Sequence, residues 1–362
     1  MQILLKGFAV LKNSKIYIAG HTGLIGSAIL KKLHDQGYQN IVYRTHKELD
    51  LLDQYAVKRF FELEKPEYVF FCAAKVGGMI SQLKQRASFL YENLMMQNNV
   101  IHFSYLNGVK KLLYLGSICI YPQDAKLPIK EDDLFDGKLQ YNNEPYAIAK
   151  IAGLKMCEFY SFQYDLDYIP IMPVSIYGSN DNFDIETAHV QAAIFRKIYL
   201  AKLLNEKRFQ ELISNLNMKN KEDALNYLKT LNINELSVQL LGTGNSRREF
   251  LHCDDLADAS LYLMNSISFK DIIQKQGNKI ANSHINIGTG KDISIKELAF
   301  LIADILDYKG EVKFENKKEN DGTLRKVVDI KKMEKLGWKY KIDLQEGLSK
   351  MCYDYIKEKE NK

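Results

Sequence analysis

The chain of 362 residues is 46% hydrophobic and 26% charged, enough apolar material to bury a sizeable core in one large or two modest globular domains. Its 50 Lys and Arg against 45 Asp and Glu leave a formal charge of +5 with no long run of one sign, too mild to call for a nucleic-acid partner. No apolar stretch approaches the roughly 18 residues of a membrane span, and five scattered cysteines without a CxxC pair supply neither a disulfide framework nor a metal site. Residues 1–13 do not read as a signal peptide, because cleavage there would leave a glycine-rich turn at the new end. A cytoplasmic location is expected, with no membrane partner.

Short apolar runs of strand length fall at residues 15–19 (KIYIA), 40–44 (NIVYR), 67–72 (EYVFFC), 111–115 (KLLYL) and 168–172 (YIPIM). Long helical patterns separate them, so the strands are expected to be parallel, covered on both faces and joined by right-handed crossovers. The fold class is then α/β, a doubly wound parallel sheet. Past Gly178 the alternation loosens. Runs at 237–241 and 284–287 read as late strands returning to the sheet or its edge. Residues 205–235, rich in Lys and Asn with apolar spacing at Phe209, Leu212, Ile213 and Leu216, read as a helical insertion. The expected division is a first domain of 14–184, joined by 237–262 and 284–290, and a smaller second domain of 185–236 and 291–362.

Gly20-His21-Thr22-Gly23-Leu24-Ile25-Gly26 follows the first strand directly and opens a helical run. In that context glycines permit a tight turn, and a pyrophosphate can approach the helix N-terminus. The turn therefore marks a dinucleotide site rather than a purely structural bend. An NAD site usually offers a carboxylate to the ribose 2′-hydroxyl at the end of the second strand. Here that strand ends in Arg44-Thr45-His46-Lys47. A guanidinium suits a 2′-phosphate, which favours NADP, the competing reading being an ordinary solvated arginine.

Tyr146 and Lys150 follow Glu144-Pro145, and proline is accepted in a first helical turn, so the two side chains should share one face at i and i+4. An ammonium so placed stabilises phenolate and moves the tyrosine toward a useful acid pKa. The pattern is common in a lysine-rich chain with 22 tyrosines; Ser117, just past the strand at 111–115, gives it weight, because ligands gather at the carboxyl ends of parallel strands. Together the three can polarise and protonate a carbonyl while a nicotinamide delivers hydride.

The segments GHTGLIGSAI from Gly20, AAKVGG from Ala73, LGSICIYP from Leu115, NEPYAIAKIAG from Asn143, DNF followed by His189-Val190, RREFLHCDD from Arg247, HINIGTG from His284 and DGTLRK from Asp321 span nearly the whole chain. As a set they resemble the GDP-L-fucose synthase family of GDP-4-keto-6-deoxysugar epimerase/reductases, extended short-chain dehydrogenases/reductases of Rossmann type with a smaller C-terminal substrate domain. The resemblance implies that Tyr146 protonates the C4 oxygen, that Lys150 tunes it and holds the nicotinamide ribose, and that Ser117 hydrogen-bonds the ketone. It places a proton-transfer pair for the flanking sugar carbons at Cys119 and His189. It implies contacts to NADPH from Gly20, Thr22, Gly23, Leu24, Ile25, Gly26, Arg44 and Ala73, and a homodimer built on helices near 89–106 and 147–162. Arg248, Lys197 and Lys326 are the implied partners of the nucleotide-sugar diphosphate.

The chain departs from that family at Ile118, where a second serine is common, at Val174-Ser175, where threonine-asparagine is common, and at Thr22 and Lys197, where arginine is common. A Lys in place of Arg exchanges a bidentate donor for a point charge. These changes alter what the pocket reads more than whether hydride transfer occurs, so a GDP-linked 4-keto-heptose fits as well as a hexose. The expected activity is NADPH-dependent C4 reduction of a GDP-linked keto-sugar, with or without C3/C5 epimerisation. A 4-epimerase or 4,6-dehydratase with tightly held NAD is the nearest alternative, although Ile118-Cys119 lacks the acidic pair of dehydratases. A non-catalytic NADP-sensing protein is the second.

Overall fold

The computed structural model describes residues 10–360 except 274, 277–278 and 319–320. In chain order the elements begin with β1 (Ile16–Ala19), α1 (Leu24–Asp35), β2 (Ile41–Val42), α2 (Gln54–Glu64), β3 (Tyr68–Phe71), α3 (Met79–Lys84), α4 (Arg86–Leu106) and β4 (Lys111–Leu115). There follow α5 (Glu144–Tyr164), β5 (Asp167–Pro173), β6 (Ser175–Tyr177), α6 (Val190–Asn205), α7 (Phe209–Leu216), α8 (Lys221–Thr230), β7 (Ser237–Leu240), β8 (Arg247–His252) and α9 (Cys253–Ser266). The last are α10 (Phe269–Ile272), β9 (Lys275–Gln276), β10 (Lys279–Ile280), β11 (Ile285–Ile287), β12 (Asp292–Ser294), α11 (Ile295–Ile305), β13 (Glu311–Phe314), β14 (Arg325–Lys326), α12 (Lys331–Lys335) and α13 (Leu344–Glu360).

Two compact units share the chain. The first runs to Ile176 and adds Glu249–Lys291 and Val327–Lys341; the second holds Tyr177–Arg248, Asp292–Lys326 and the chain from Ile342. The first unit carries a six-stranded sheet in the order β11-β5-β4-β3-β1-β2, parallel throughout. Ile16, Ile18, Val69, Phe70, Leu112, Leu113, Ile169, Ile171 and Ile285 are buried along it, as strands covered on both faces require. Helix α1 packs on α9, and α4 packs between α2 and α5. Local chemistry sets the helix starts: the Asp53 carboxylate accepts from the backbone N–H groups of Tyr55 and Ala56 to cap α2, and Pro145 sits in the first turn of α5.

The register is level at one edge. Ala19 pairs with Phe71, Phe71 with Tyr114, and Leu115 with Ile171, so Gly20, Cys72-Ala73 and Gly116-Ser117 all leave the sheet at the same end.

In the second unit α6 packs on α7, α11 and β7, and α13 packs on α11. The expected insertion is helical, as α7 and α8. It is fastened by buried Arg196, whose guanidinium donates to the Asn215 carbonyl at 2.7 Å and to the Tyr355 hydroxyl.

Three expectations change. The second strand is only Ile41–Val42, because the ladder with β1 ends at the Tyr17–Val42 pair and leaves Tyr43 and Arg44 unpaired with it. The 237–241 run does not return to the main sheet: β7 pairs in parallel register with β13 inside the second unit. A strand-length apolar run specifies a strand but not its neighbour. Residues 327–341, expected in the second domain, belong to the first unit, where Ile129 N–H donates to the Val327 carbonyl at 2.9 Å and Val328 N–H to Glu249 Oε2 at 2.8 Å. No helix among the described residues is long and apolar enough to cross a membrane.

Candidate active site

The glycine turn joins β1 to α1 by a very close approach. Gly20 has φ +87°, and a Cβ there would lie 2.7 Å from the Ala73 nitrogen; a Cβ on Gly26 would lie 2.1 Å from the Gly20 carbonyl oxygen. Both glycines are required by the protein's own packing. Gly23 is different, since a Cβ there meets nothing nearer than the Gly20 oxygen at 3.6 Å. It is also the N-cap of α1, and its side of the helix receives no capping side chain and no acidic residue in the first turn. Helical geometry leaves the N–H groups of Leu24, Ile25 and Gly26 without an intrahelical acceptor. The absence of crowding at Gly23, unclaimed donors and the positive end of a helix dipole fit a dinucleotide pyrophosphate.

Arg44 stands beyond β2 with its guanidinium on Glu64 Oε1 at 2.5 Å and on the Tyr43 carbonyl at 2.8 Å. Five donors leave it capacity for a phosphate besides. Beside it the Tyr43 ring stacks on His21, with centroids 4.5 Å apart, a contact that no motif or spacing announces.

One face of α5 presents Tyr146 and Lys150. The Lys150 ammonium is buried, donates to the Leu115 carbonyl at 2.8 Å, and lies 4.9 Å from the Tyr114 ring centroid and 5.7 Å from that of Tyr146. Burial pushes its pKa down to about 8, an effect that the cysteines at 119, 72 and 157 partly offset. Burial raises the Tyr146 phenol, and Cys119 raises it further, so the phenol keeps its proton. Ser117 follows β4 and caps a 3₁₀ turn at Ile118–Ile120, its Oγ accepting from Cys119 N–H at 3.3 Å. With one lone pair so engaged, the hydroxyl proton is left to donate. Cys119 is buried one residue into that turn. The first unit thus brings together Ser117, Cys119, Tyr146 and Lys150 next to the Gly20–Gly26 turn.

Tyr114 and Gln97 also support this site, although no motif points to either. Tyr114 OH donates to Gln97 Oε1 at 2.9 Å, and Gln97 Nε2 donates to the Ala149 carbonyl at 2.7 Å, fixing the ring beneath Lys150. A lone tyrosine inside the aliphatic run KLLYL was the available signal.

The remaining candidates lie in the second unit. His189 is exposed and occupies the N-cap position of α6, yet its side chain makes no capping hydrogen bond, which removes the plain capping explanation. Lys197, on α6, donates to the Gln239 carbonyl of β7 at 2.7 Å. Arg248 and Lys326 are register partners on the parallel strands β8 and β14, so their side chains share a face. Arg248 donates to the Arg247 and Asp321 carbonyls at 2.8 and 3.3 Å. Burial lowers the pKa of both Lys197 and Arg248. Glu315 and Asp321 partly offset that effect on Lys197 and Arg248 respectively, and cationic donors whose hydrogen bonds go to backbone carbonyls suit phosphate oxygens.

Residues 16–288 match the NAD dependent epimerase/dehydratase family. GDP-L-fucose synthase 1 of Arabidopsis thaliana is 42% identical over 346 residues, 96% of this chain and 94% of its own. A solved GDP-6-OMe-4-keto-L-xylo-heptose reductase from C. jejuni superposes with a TM-score of 0.92 at 46% identity, covering 97% of this chain and 99% of that one. A GDP-mannoheptose C4 reductase from Campylobacter jejuni, solved with NADP bound, gives a TM-score of 0.86 at 46% identity, covering 96% and 100%.

Proposed function

The chain belongs to the NAD dependent epimerase/dehydratase family, among its GDP-L-fucose synthase relatives, and we propose that it reduces the C4 ketone of a GDP-linked 4-keto-sugar, hexose or heptose, with NADPH. The observation that carries this reading is the Lys150 ammonium, anchored on the Leu115 carbonyl beside the Tyr146 ring and just before Ser117. NADPH, when bound, supplies the hydride. Ser117 donates a hydrogen bond to the ketone oxygen, keeping its own proton, and orients it. Tyr146, kept protonated by burial, gives its proton to that oxygen as the hydride reaches carbon. Lys150 stabilises the phenolate left behind. Arg44 is the proposed partner of the 2′-phosphate, with the backbone from Gly20 to Gly26 and Ala73 along the rest of the dinucleotide.

Protons at C3 and C5 are α to the ketone and are acidic enough for a side-chain base to remove. Cys119 and His189 are proposed as the groups that move them, and Arg248, Lys326 and Lys197 as those that meet the GDP phosphates. Helices α4 and α5 expose Tyr91, Phe159 and Phe162, which supports a homodimer through that face. None of the five cysteines is in a disulfide, in keeping with the cytosolic setting this reading calls for.

The test is turnover. The purified protein with NADPH and a panel of GDP-4-keto sugars should oxidise the cofactor, with NMR identifying a C4 alcohol; absence of NADPH oxidation with every hexose and heptose would defeat the reading.

A further inference from the structure

Tyr121 follows the 3₁₀ turn that carries Ser117 and Cys119, and it is fully buried. Its hydroxyl meets two side chains more than 160 residues away in sequence, His284 Nε2 at 2.9 Å and Asn286 Oδ1 at 2.6 Å. Strand alternation explains the pair: His284 immediately precedes β11 and Asn286 lies on it, so both point to one face. The neighbours fix the proton positions. Asn286 Nδ2 donates to the Ile129 carbonyl at 3.2 Å, so its Oδ1 is the acceptor. Tyr121 therefore donates to Asn286 and accepts from the Nε2–H of a neutral His284, whose pKa burial holds well below the ordinary histidine value. Nδ1 of that ring has no partner among the described residues. The backbones are secured as well. Lys332 Nζ donates to the His284 carbonyl at 2.6 Å, and Glu131 Oε1 accepts from Asn286 N–H at 2.9 Å.

We propose that Tyr121, clamped between His284 and Asn286, is a positioning residue that sets the Ser117–Cys119 turn in its working orientation. The turn holds itself only loosely: Cys119 N–H reaches Ser117 Oγ at 3.3 Å, Ile120 N–H reaches the Ser117 carbonyl at 3.3 Å, and Tyr121 N–H reaches the Ile118 carbonyl at 3.4 Å. Bonds of that length are weak. Apolar packing of Ile118 and Ile120 gives burial but no direction, whereas two directional bonds on the next side chain fix how the turn is rotated. Mispositioning a reacting group by about 1 Å costs on the order of 100-fold, so the clamp acts on turnover.

The proposal rests on reading Ser117 and Cys119 as site residues, so its test has one arm that needs no substrate. Amide hydrogen exchange across residues 118–121 should be faster by about tenfold or more in Tyr121→Phe and His284→Leu. In His284→Gln, whose amide Nε2 can replace the ring donor, it should stay near wild type. NADPH affinity should hold within about twofold in all three, because the clamp touches no residue of the glycine turn. With a reducible keto-sugar, kcat should fall by about 10- to 100-fold in the first two with KM nearly constant, and recover in His284→Gln. Unchanged exchange in Tyr121→Phe, equal damage from His284→Gln and His284→Leu, or a loss confined to KM would overturn the proposal. If Tyr121→Phe fails to fold, His284→Leu and His284→Gln decide the matter. Faster exchange in a protein that reduces none of the sugars would uphold the clamp and count only against the functional reading.

Discussion

Tyr146 contributes one oxygen to the chemistry, and replacing it by Phe leaves the ring and its packing in place. General acid catalysis is worth about 10²- to 10⁴-fold, so Tyr146→Phe should lose that much kcat and still bind NADPH normally; near wild-type reduction would remove it as the acid. Lys150 makes a pH prediction. The folded ammonium loses its proton at about 8, against an ordinary 10.5, so between those values the unfolded chain binds more protons and stability gains as pH rises. Catalysis runs the other way, because the charge beside Tyr146 disappears. The profile of kcat/KM should therefore fall on its alkaline side near pH 8, and a profile flat to pH 10 would contradict the role. Arg44→Ala should weaken NADPH by about 10- to 100-fold, the worth of a charge-assisted hydrogen bond, with NADH nearly unaffected in parallel titrations. At this scale the sequence was most informative where spacing decides geometry. Tyr146 and Lys150 share a face because the helix period puts them there. Tyr114 beneath Lys150 was hidden, because nothing in KLLYL says which side chain a neighbouring helix will lower onto it.

Elements carry a sharper separation of fold from function in the two glycines of α1. A Cβ on Gly26 would lie 2.1 Å from the Gly20 carbonyl oxygen, whereas one on Gly23 would meet that oxygen at an ordinary 3.6 Å. Gly26→Ala should force the backbone apart and lower stability by about 1–3 kcal/mol, taking NADPH binding with it. Gly23→Ala should lose no more than about 1 kcal/mol, the difference between Gly and Ala at a helix N-cap, yet bind NADPH much more weakly because the methyl occupies the cradle. Thermal unfolding and fluorescence titration of both variants check this; equal melting would show that the two glycines do the same job. The strands of the main sheet were legible because each is a short apolar run buried on both faces. The partner of β7 was not legible, since parallel pairing with β13 depends on residues some 70 positions on, and neither run records the other. The return of 327–341 to the first unit was hidden for the same reason: it hangs on Ile129, Val328 and Glu249, which meet only in three dimensions.

Of the proposed groups, the cofactor turn, Ser117, Cys119, Tyr146 and Lys150 belong to the first unit and His189, Lys197, Arg248 and Lys326 to the second. Proton exchange at C3 or C5 and hydride transfer at C4 draw their hydrogens from different sources. In D₂O with NADP⁺, the wild type should wash deuterium into the keto-sugar at C3 or C5, and Cys119→Ser and His189→Asn should suppress it. A pre-epimerised substrate should still be reduced by the cysteine variant. Absence of wild-type exchange beside fast reduction would leave this protein a pure reductase. The central claim, hydride delivery to C4, is tested most directly by isotope transfer. With NADPH deuterated at the nicotinamide C4 position, in ordinary water and with a GDP-4-keto sugar, NMR of the product should find deuterium on sugar C4 of the one stereospecifically labelled form, and none at C3 or C5. Hydrogen from solvent at C4 with either labelled form, or a product formed without consumption of NADPH, would contradict it.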